Sequence, residues 1–166
     1  MFDAGILRDN SLLFETDLRI CEDLLFVIRY LPHARGDIRS THAALYCYRD
    51  HMGAQKRRFS AHPDFRKEEL TEITALERCR DHLCPGREVE KAWQIRTVKA
   101  AVNTLRTMTA NHHRDPALRQ HLTGMIRQNA AACVFSPYLT GSAKASVLAS
   151  SLSPELEYRL WRFLNR

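Results

Sequence analysis

Apolar positions recur at helical spacing through most of the second half of the chain, and this pattern predicts one helix after another from about residue 64. Asp64 can cap a helix running to about Leu83, whose apolar face is Phe65, Leu70, Ile73 and Leu76. Pro85-Gly86 breaks it. The next helix spans about Glu88 to His113, with Trp93, Val98, Ala101, Val102, Leu105 and Met108 in register. Asp115-Pro116 is a start signal, a capping side chain followed by proline at the first helical position. The helix it opens carries Leu118, Leu122, Met125, Ile126 and Val134, and Ser136-Pro137 stops it. Ser153-Pro154 repeats the start signal for a last helix holding Leu156, Leu160, Trp161 and Leu164. Antiparallel packing is the simplest way to bury such stripes.

The first sixty residues read differently. Phe2 to Asn10 carries Ile6 and Leu7 and breaks at Asn10-Ser11, and Leu12-Leu13-Phe14 is a short apolar piece. Ile20 to Leu31 is a helix that is apolar nearly all round, and Pro32 and Gly36 end it. Such a helix needs burial on several sides. An exposed apolar patch of more than a few hundred Å² is therefore expected near it, marking a missing partner, whereas complete cover of Phe26, Val27 and Tyr30 by the chain's own helices would indicate a self-contained module. Ala43 to Arg49 alternates, with Leu45, Cys47 and Arg49 on one side and Tyr46 and Tyr48 on the other, which predicts a strand. His51-Met52-Gly53 turns the chain away. The expected architecture is mainly α: a small α+β part over residues 1–60 and a bundle-like helical part over 61–166.

Composition bounds this picture. A chain of 166 residues amounts to one domain, or one domain with a tail. Hydrophobic residues at 45% and charged residues at 27% exclude wholesale disorder, and six Gly with six Pro exclude collagen-like and linker-like chains. No apolar run approaches the roughly 18 residues of a membrane-spanning helix. Residues 1–10 lack the basic start and apolar core of a secretory leader. Lys plus Arg total 25 against 19 Asp plus Glu, a net charge of +6, which suits a phosphate-bearing partner or an anionic membrane face in peripheral contact. No helix carries a dense basic face with a recognition motif, so nucleic acid ranks last among the partners. Five scattered cysteines suggest free thiols in a reducing compartment, hence the cytoplasm or the inner membrane face.

Candidate chemistry begins with Glu22-Asp23, at the front of the helix that starts near Ile20. A carboxylate in a first turn is stabilised by the positive end of the helix dipole, by roughly 0.3–1 kcal/mol. A fixed, ionised carboxylate is what a general base requires. Acidic residues also stand in first turns merely because they stabilise helices. Tyr46, Tyr48, Arg49 and His51 close the strand, where the cations could face a diphosphate or simply edge a sheet. Cys79, His82 and Cys84 match no tight metal spacing, and read as a core thiol and a helix end. His112-His113 closes a helix. Glu88-x-Glu90 and Glu155-x-Glu157 sit two apart, so their side chains diverge, and both pairs read as solvated faces. No Gly-rich phosphate loop, Ser-His-Asp set or Cys-x-x-Cys is present.

Phe2 to His51 contains Leu13-Phe14-Glu15-Thr16, then Cys21-Glu22-Asp23 opening the apolar helix, then Leu45-Tyr46-Cys47-Tyr48-Arg49 with His51 after it. In order and spacing this resembles the acceptor-side half of family 2 glycosyltransferases, which have a GT-A-type fold. Cys21 replaces the family's usual Gly, Thr16 stands where an acid is common, and Gln55-Lys56-Arg57-Arg58 replaces a Ser run. The resemblance implies that Asp23 is the base that deprotonates an acceptor hydroxyl and that Glu22 orders the motif or touches the acceptor. It also implies that Arg49, His51 and Tyr48 bind substrate, the two cations facing the leaving diphosphate. The family's nucleotide-gripping half and its Asp-x-Asp metal motif have no counterpart here. The chain is therefore expected to be a C-terminal fragment, a split partner or the product of a truncated frame. No cofactor is expected in this chain, and Mg or Mn only together with the missing half. The implied partners are a nucleotide-sugar and a glycan acceptor, with little transfer by this chain alone. The competing expectation is a non-catalytic, basic, helical protein-interaction module, with its partner at the apolar patch near residues 20–31.

Overall fold

A computed structural model describes residues 2–36, 65 and 70–164, and among these the protein is mainly helical, with no strand. The helices are α1 (Ala4–Asp9), α2 (Glu22–Tyr30), α3 (Thr71–Arg80), α4 (Arg87–Ala110), α5 (Pro116–Val134), α6 (Gly141–Leu152) and α7 (Pro154–Leu164). A 3-10 turn, Leu31–His33, follows α2. The expected strand over Ala43–Arg49 lies outside the described residues, as does Asp64, while Phe65, expected on the face of the helix from Asp64, is not helical, and α3 begins only at Thr71.

The long helix α4 is the axis of the fold, and α3, α5, α6 and α7 all pack on it. Its inward positions Val98, Ala101, Leu105 and Met108 meet Leu122, Ile126 and Cys133 of α5, Ile73 and Leu76 of α3, and Val147 of α6. Burying a side chain such as Leu122 or Ile126 stabilises the fold by about 1.5–3 kcal/mol each. The small residues Ala100 and Ala101 admit close neighbours, and Trp93 is fixed by its indole N–H, which donates to the Leu76 carbonyl at 2.9 Å. The caps follow the sequence signals. The Asp115 carboxylate accepts the Leu118 N–H at 2.9 Å, and Ser153 Oγ accepts that of Leu156 at 3.3 Å. Helix α6 has no counterpart in the sequence reading. Thr140 caps it by accepting the Ala143 N–H at 3.3 Å, and its Ala- and Ser-rich turns give little apolar periodicity.

The apolar helix α2 starts two residues later than its pattern suggests, because Cys21 stands in the left-handed region at φ 63°. Leu25 packs with Leu18, Ala75 and Cys79, while Leu24 touches both this cluster and the main core. The chain's own N-terminal segment covers much of its remaining surface. Phe14 stacks on Phe26 at 4.2 Å, and the Phe2 ring meets Phe26 and Tyr30 edge-on at 5.1 and 4.9 Å. The Tyr30 hydroxyl accepts the Asp3 N–H at 2.9 Å. Phe26 is therefore buried, Val27 and Tyr30 are half-buried, and the exposed apolar side chains of this region are Phe2, Leu13, Phe14 and Leu31. Ion pairs hold this layer down: Glu15 with Arg29, and Asp17 with Arg78, bidentate at 2.7 and 3.1 Å. No helix among the described residues is long and apolar enough to cross a membrane.

Candidate functional site

Of the residues singled out in sequence, Glu22 and Asp23 are described, whereas Tyr48, Arg49 and His51 lie outside the described residues. Glu22 is half-buried and Asp23 exposed, both in the first turn of α2. The Asp23 carboxylate accepts the Leu24 N–H at 2.7 Å. Beside it sits a compact polar cluster. Arg96 donates to Glu72 at 2.7 Å and approaches Cys21 Sγ at 3.5 Å. Burial pushes the Cys21 thiol up, against the pull of the Arg96 hydrogen bond. Arg96, from α4, also interacts electrostatically with Asp23.

The thiols behave as packed residues. Cys79 is fully buried, and burial pushes its pKa up to about 11. Cys84 is exposed at the helix end. Among the described residues no three His, Cys, Asp or Glu side chains converge as a metal site would require.

The most developed polar arrangement lies elsewhere, and it corrects the sequence reading of Glu155-x-Glu157. The two side chains do diverge, but only Glu155 is solvated, where it pairs with Arg119 at 2.9 Å. Glu157 is 1% exposed. Arg106 donates to it through Nε, at 3.1 and 3.3 Å to its two oxygens, and through Nη2. Ser146 Oγ donates to the same carboxylate and accepts from Arg106 Nη2 at 3.2 Å, closing a triangle across α4, α6 and α7. Arg106 Nη1 donates to Asn103 Oδ1 at 3.2 Å, and the guanidinium carbon lies 5.2 Å from the Trp161 ring centre. A buried carboxylate without such partners would cost several kcal/mol. Here the hydrogen bonds supply them.

Above this network a cleft of about 380 Å³ opens between α4, α6 and α7. That volume falls in the range of small-molecule sites. Its α4 wall carries Lys99, Asn103 and Arg106, spaced i, i+4, i+7. Its α7 wall carries Trp161 and Leu164, with Glu157 beneath them at the same spacing. Val147 and Leu139 add apolar lining, and Ser142 stands at the first turn of α6. Lys99 has no carboxylate partner among the described residues. Glu157 neutralises Arg106 from behind, so the two lining cations leave one uncompensated positive charge facing an aromatic and aliphatic wall. Sequence reading counted Trp161 and Leu164 as core and passed over Lys99, Asn103, Arg106 and Ser146. The signal that could have found the first three was their shared i, i+4, i+7 stripe on α4, whereas nothing local marks Ser146 on α6.

Comparison with known proteins gives no matching family model, no matching curated protein and no matching solved structure.

Proposed function

We propose that this chain is a helical binding module, and that the cleft between α4, α6 and α7 receives a small amphipathic anion. The observation that carries the reading is one free cation, Lys99, beside a locked Arg106–Glu157–Ser146 network and an apolar wall topped by Trp161. The ligand's anionic group would meet Lys99 and the outer edge of Arg106, and its apolar body would lie on Trp161 and Leu164. Binding rather than covalent chemistry fits the hydrogen bonding: the Ser146 hydroxyl is committed to Glu157, and that carboxylate is committed to Arg106. Neither a free nucleophile nor a free base therefore faces the cleft from this network. The test is a tryptophan-fluorescence titration with octanoate and 3-phenylpropanoate, against octylamine and octanol of matched length. The carboxylates should bind saturably, Lys99→Gln should weaken them about tenfold, and Trp161→Phe should remove the signal. Equal binding of carboxylate and amine would contradict the proposal.

A second reading is the glycosyltransferase one, an inverting, nucleotide-sugar-dependent transfer in which this chain supplies the acceptor side. Two observations support it. Cys21 holds the left-handed conformation that glycine adopts most readily, at the position where that family carries Gly. Asp23 is exposed in the first turn of the helix that follows. The reading requires a nucleotide-binding half with its divalent metal from another chain. Given that half and a nucleotide-sugar panel, Asp23→Asn should abolish transfer without lowering the melting temperature, and unchanged turnover would end it.

A further inference from the structure

A second concavity, of about 750 Å³, lies at the opposite side of α7 from Glu157, against the turn between α4 and α5. It takes no part in the cleft described above, and its chemistry is different. Three arginines line it from separate segments: Arg114 in the turn, Arg119 on α5 and Arg159 on α7. His112 and His113 of the same turn line it as well, and the Tyr158 ring forms part of the wall. The carboxylates facing it are Asp115 and Glu155.

Each carboxylate is already engaged. Asp115 caps α5 through the Leu118 N–H, and Glu155 binds Arg119 at 2.9 Å and accepts from Ser153 at 3.0 Å. Arg119 also reaches back to the His113 carbonyl and to Thr109 Oγ1, both at 3.4 Å, which ties the turn to α5 and α7. The turn itself is closed by the His113 N–H donating to the Met108 carbonyl at 2.9 Å, with His112 at φ 53°. Arg114 and Arg159 are both exposed and have no ion-pair partner among the described residues. The wall thus holds two uncommitted guanidinium groups and two imidazoles on an anchored frame. The formal balance is +3 from the arginines and −2 from the carboxylates.

We propose that this concavity binds a small phosphomonoester. Guanidinium groups donate in a planar fork that matches phosphate oxygens, and two forks from different segments can grip one tetrahedral group from two sides. The volume exceeds what a bare phosphate fills, and the Tyr158 ring offers a face for the organic part of the ligand. A concavity fed by three segments, rather than a row of cations along one helix, favours a compact ligand over a nucleic-acid strand.

The test is an NMR titration of the full chain with inorganic phosphate, then with phenyl phosphate, at constant ionic strength set by sodium chloride. Saturable shifts should centre on residues 112–119 and 158–159, and phenyl phosphate should bind more tightly than phosphate. The double variant Arg114→Gln/Arg159→Gln should bind at least about tenfold more weakly. Both arginines are exposed, so its thermal unfolding should match that of the parent, and Arg35→Gln serves as the charge control with unchanged affinity. Shifts that grow with ligand concentration without saturating would overturn the proposal. So would affinity unchanged in the double variant, or single-stranded oligonucleotide bound with no competition from phenyl phosphate.

Discussion

Glu157 shows how much one buried charge can organise. Its partners lie 51 and 11 residues away in sequence, at Arg106 and Ser146. The Glu155-x-Glu157 spacing says that the two side chains diverge but not which of them turns inward, and no local pattern points to Arg106. Removing one partner of a buried pair costs about 3–5 kcal/mol, because the other charge remains in a low-dielectric site. Glu157→Ala should therefore lower stability in urea by that amount. The double variant Arg106→Met/Glu157→Leu should cost less than the sum of its two single changes by about 1–3 kcal/mol, and strict additivity would contradict the geometry. Cys79 gives a pH prediction. Its thiol is raised from 9.0 to about 11 by burial, so the folded state holds its proton where the unfolded chain has released it. That contribution is complete below pH 9 and is lost as pH rises towards 11, at about 1.4 kcal/mol for each unit of separation. Cys79→Ser, which does not titrate in this range, should flatten the decline in stability measured across that window. Cys21 was legible in part. Its place before Glu22-Asp23 at the start of the apolar helix was visible in the sequence, but its left-handed backbone was not. Cys21→Gly should stay within about 1 kcal/mol of the parent, relief of strain offsetting added unfolded-state entropy, whereas Cys21→Val should destabilise by more.

At the scale of elements, the sequence was most readable where a start signal and a long apolar stripe coincide. Asp115-Pro116 and Ser153-Pro154 open α5 and α7 where expected, and the stripe from Trp93 to Met108 becomes the buried face of α4. Helix α6 was not readable in the same way. Its turns are built from Gly, Ser and Ala, its one buried aliphatic side chain beyond alanine is Val147, and Leu148 and Leu152 face outward. Its position is set by packing on α5 and α7 and by its cap. Thr140→Ala should thus destabilise by about 1 kcal/mol, Thr140→Ser should restore most of that, and the loss should appear as faster amide exchange over residues 141–146. No change in exchange on Thr140→Ala would show that tertiary packing alone holds the helix.

For the whole molecule, the mainly helical class was legible because helical periodicity survives in any context that buries one face. The sites were less so, since a cleft between three helices depends on which stripes face one another. An exposed apolar patch was expected on α2, but residues 2–14 cover much of that surface through Phe2 and Phe14. Asp23 remains exposed in the first turn of α2, on a different helix from those that line the Arg106 cleft. The two readings of function place a ligand at different helices, the N-terminus of α2 or the cleft between α4, α6 and α7, and amide shifts can separate them. The most direct measurement is a 15N-resolved NMR titration with 3-phenylpropanoate. The binding-module account predicts saturable shifts confined to residues 99–106, 142–147 and 161–164. Saturable shifts centred on residues 21–24, or no saturable shift at all, would contradict it.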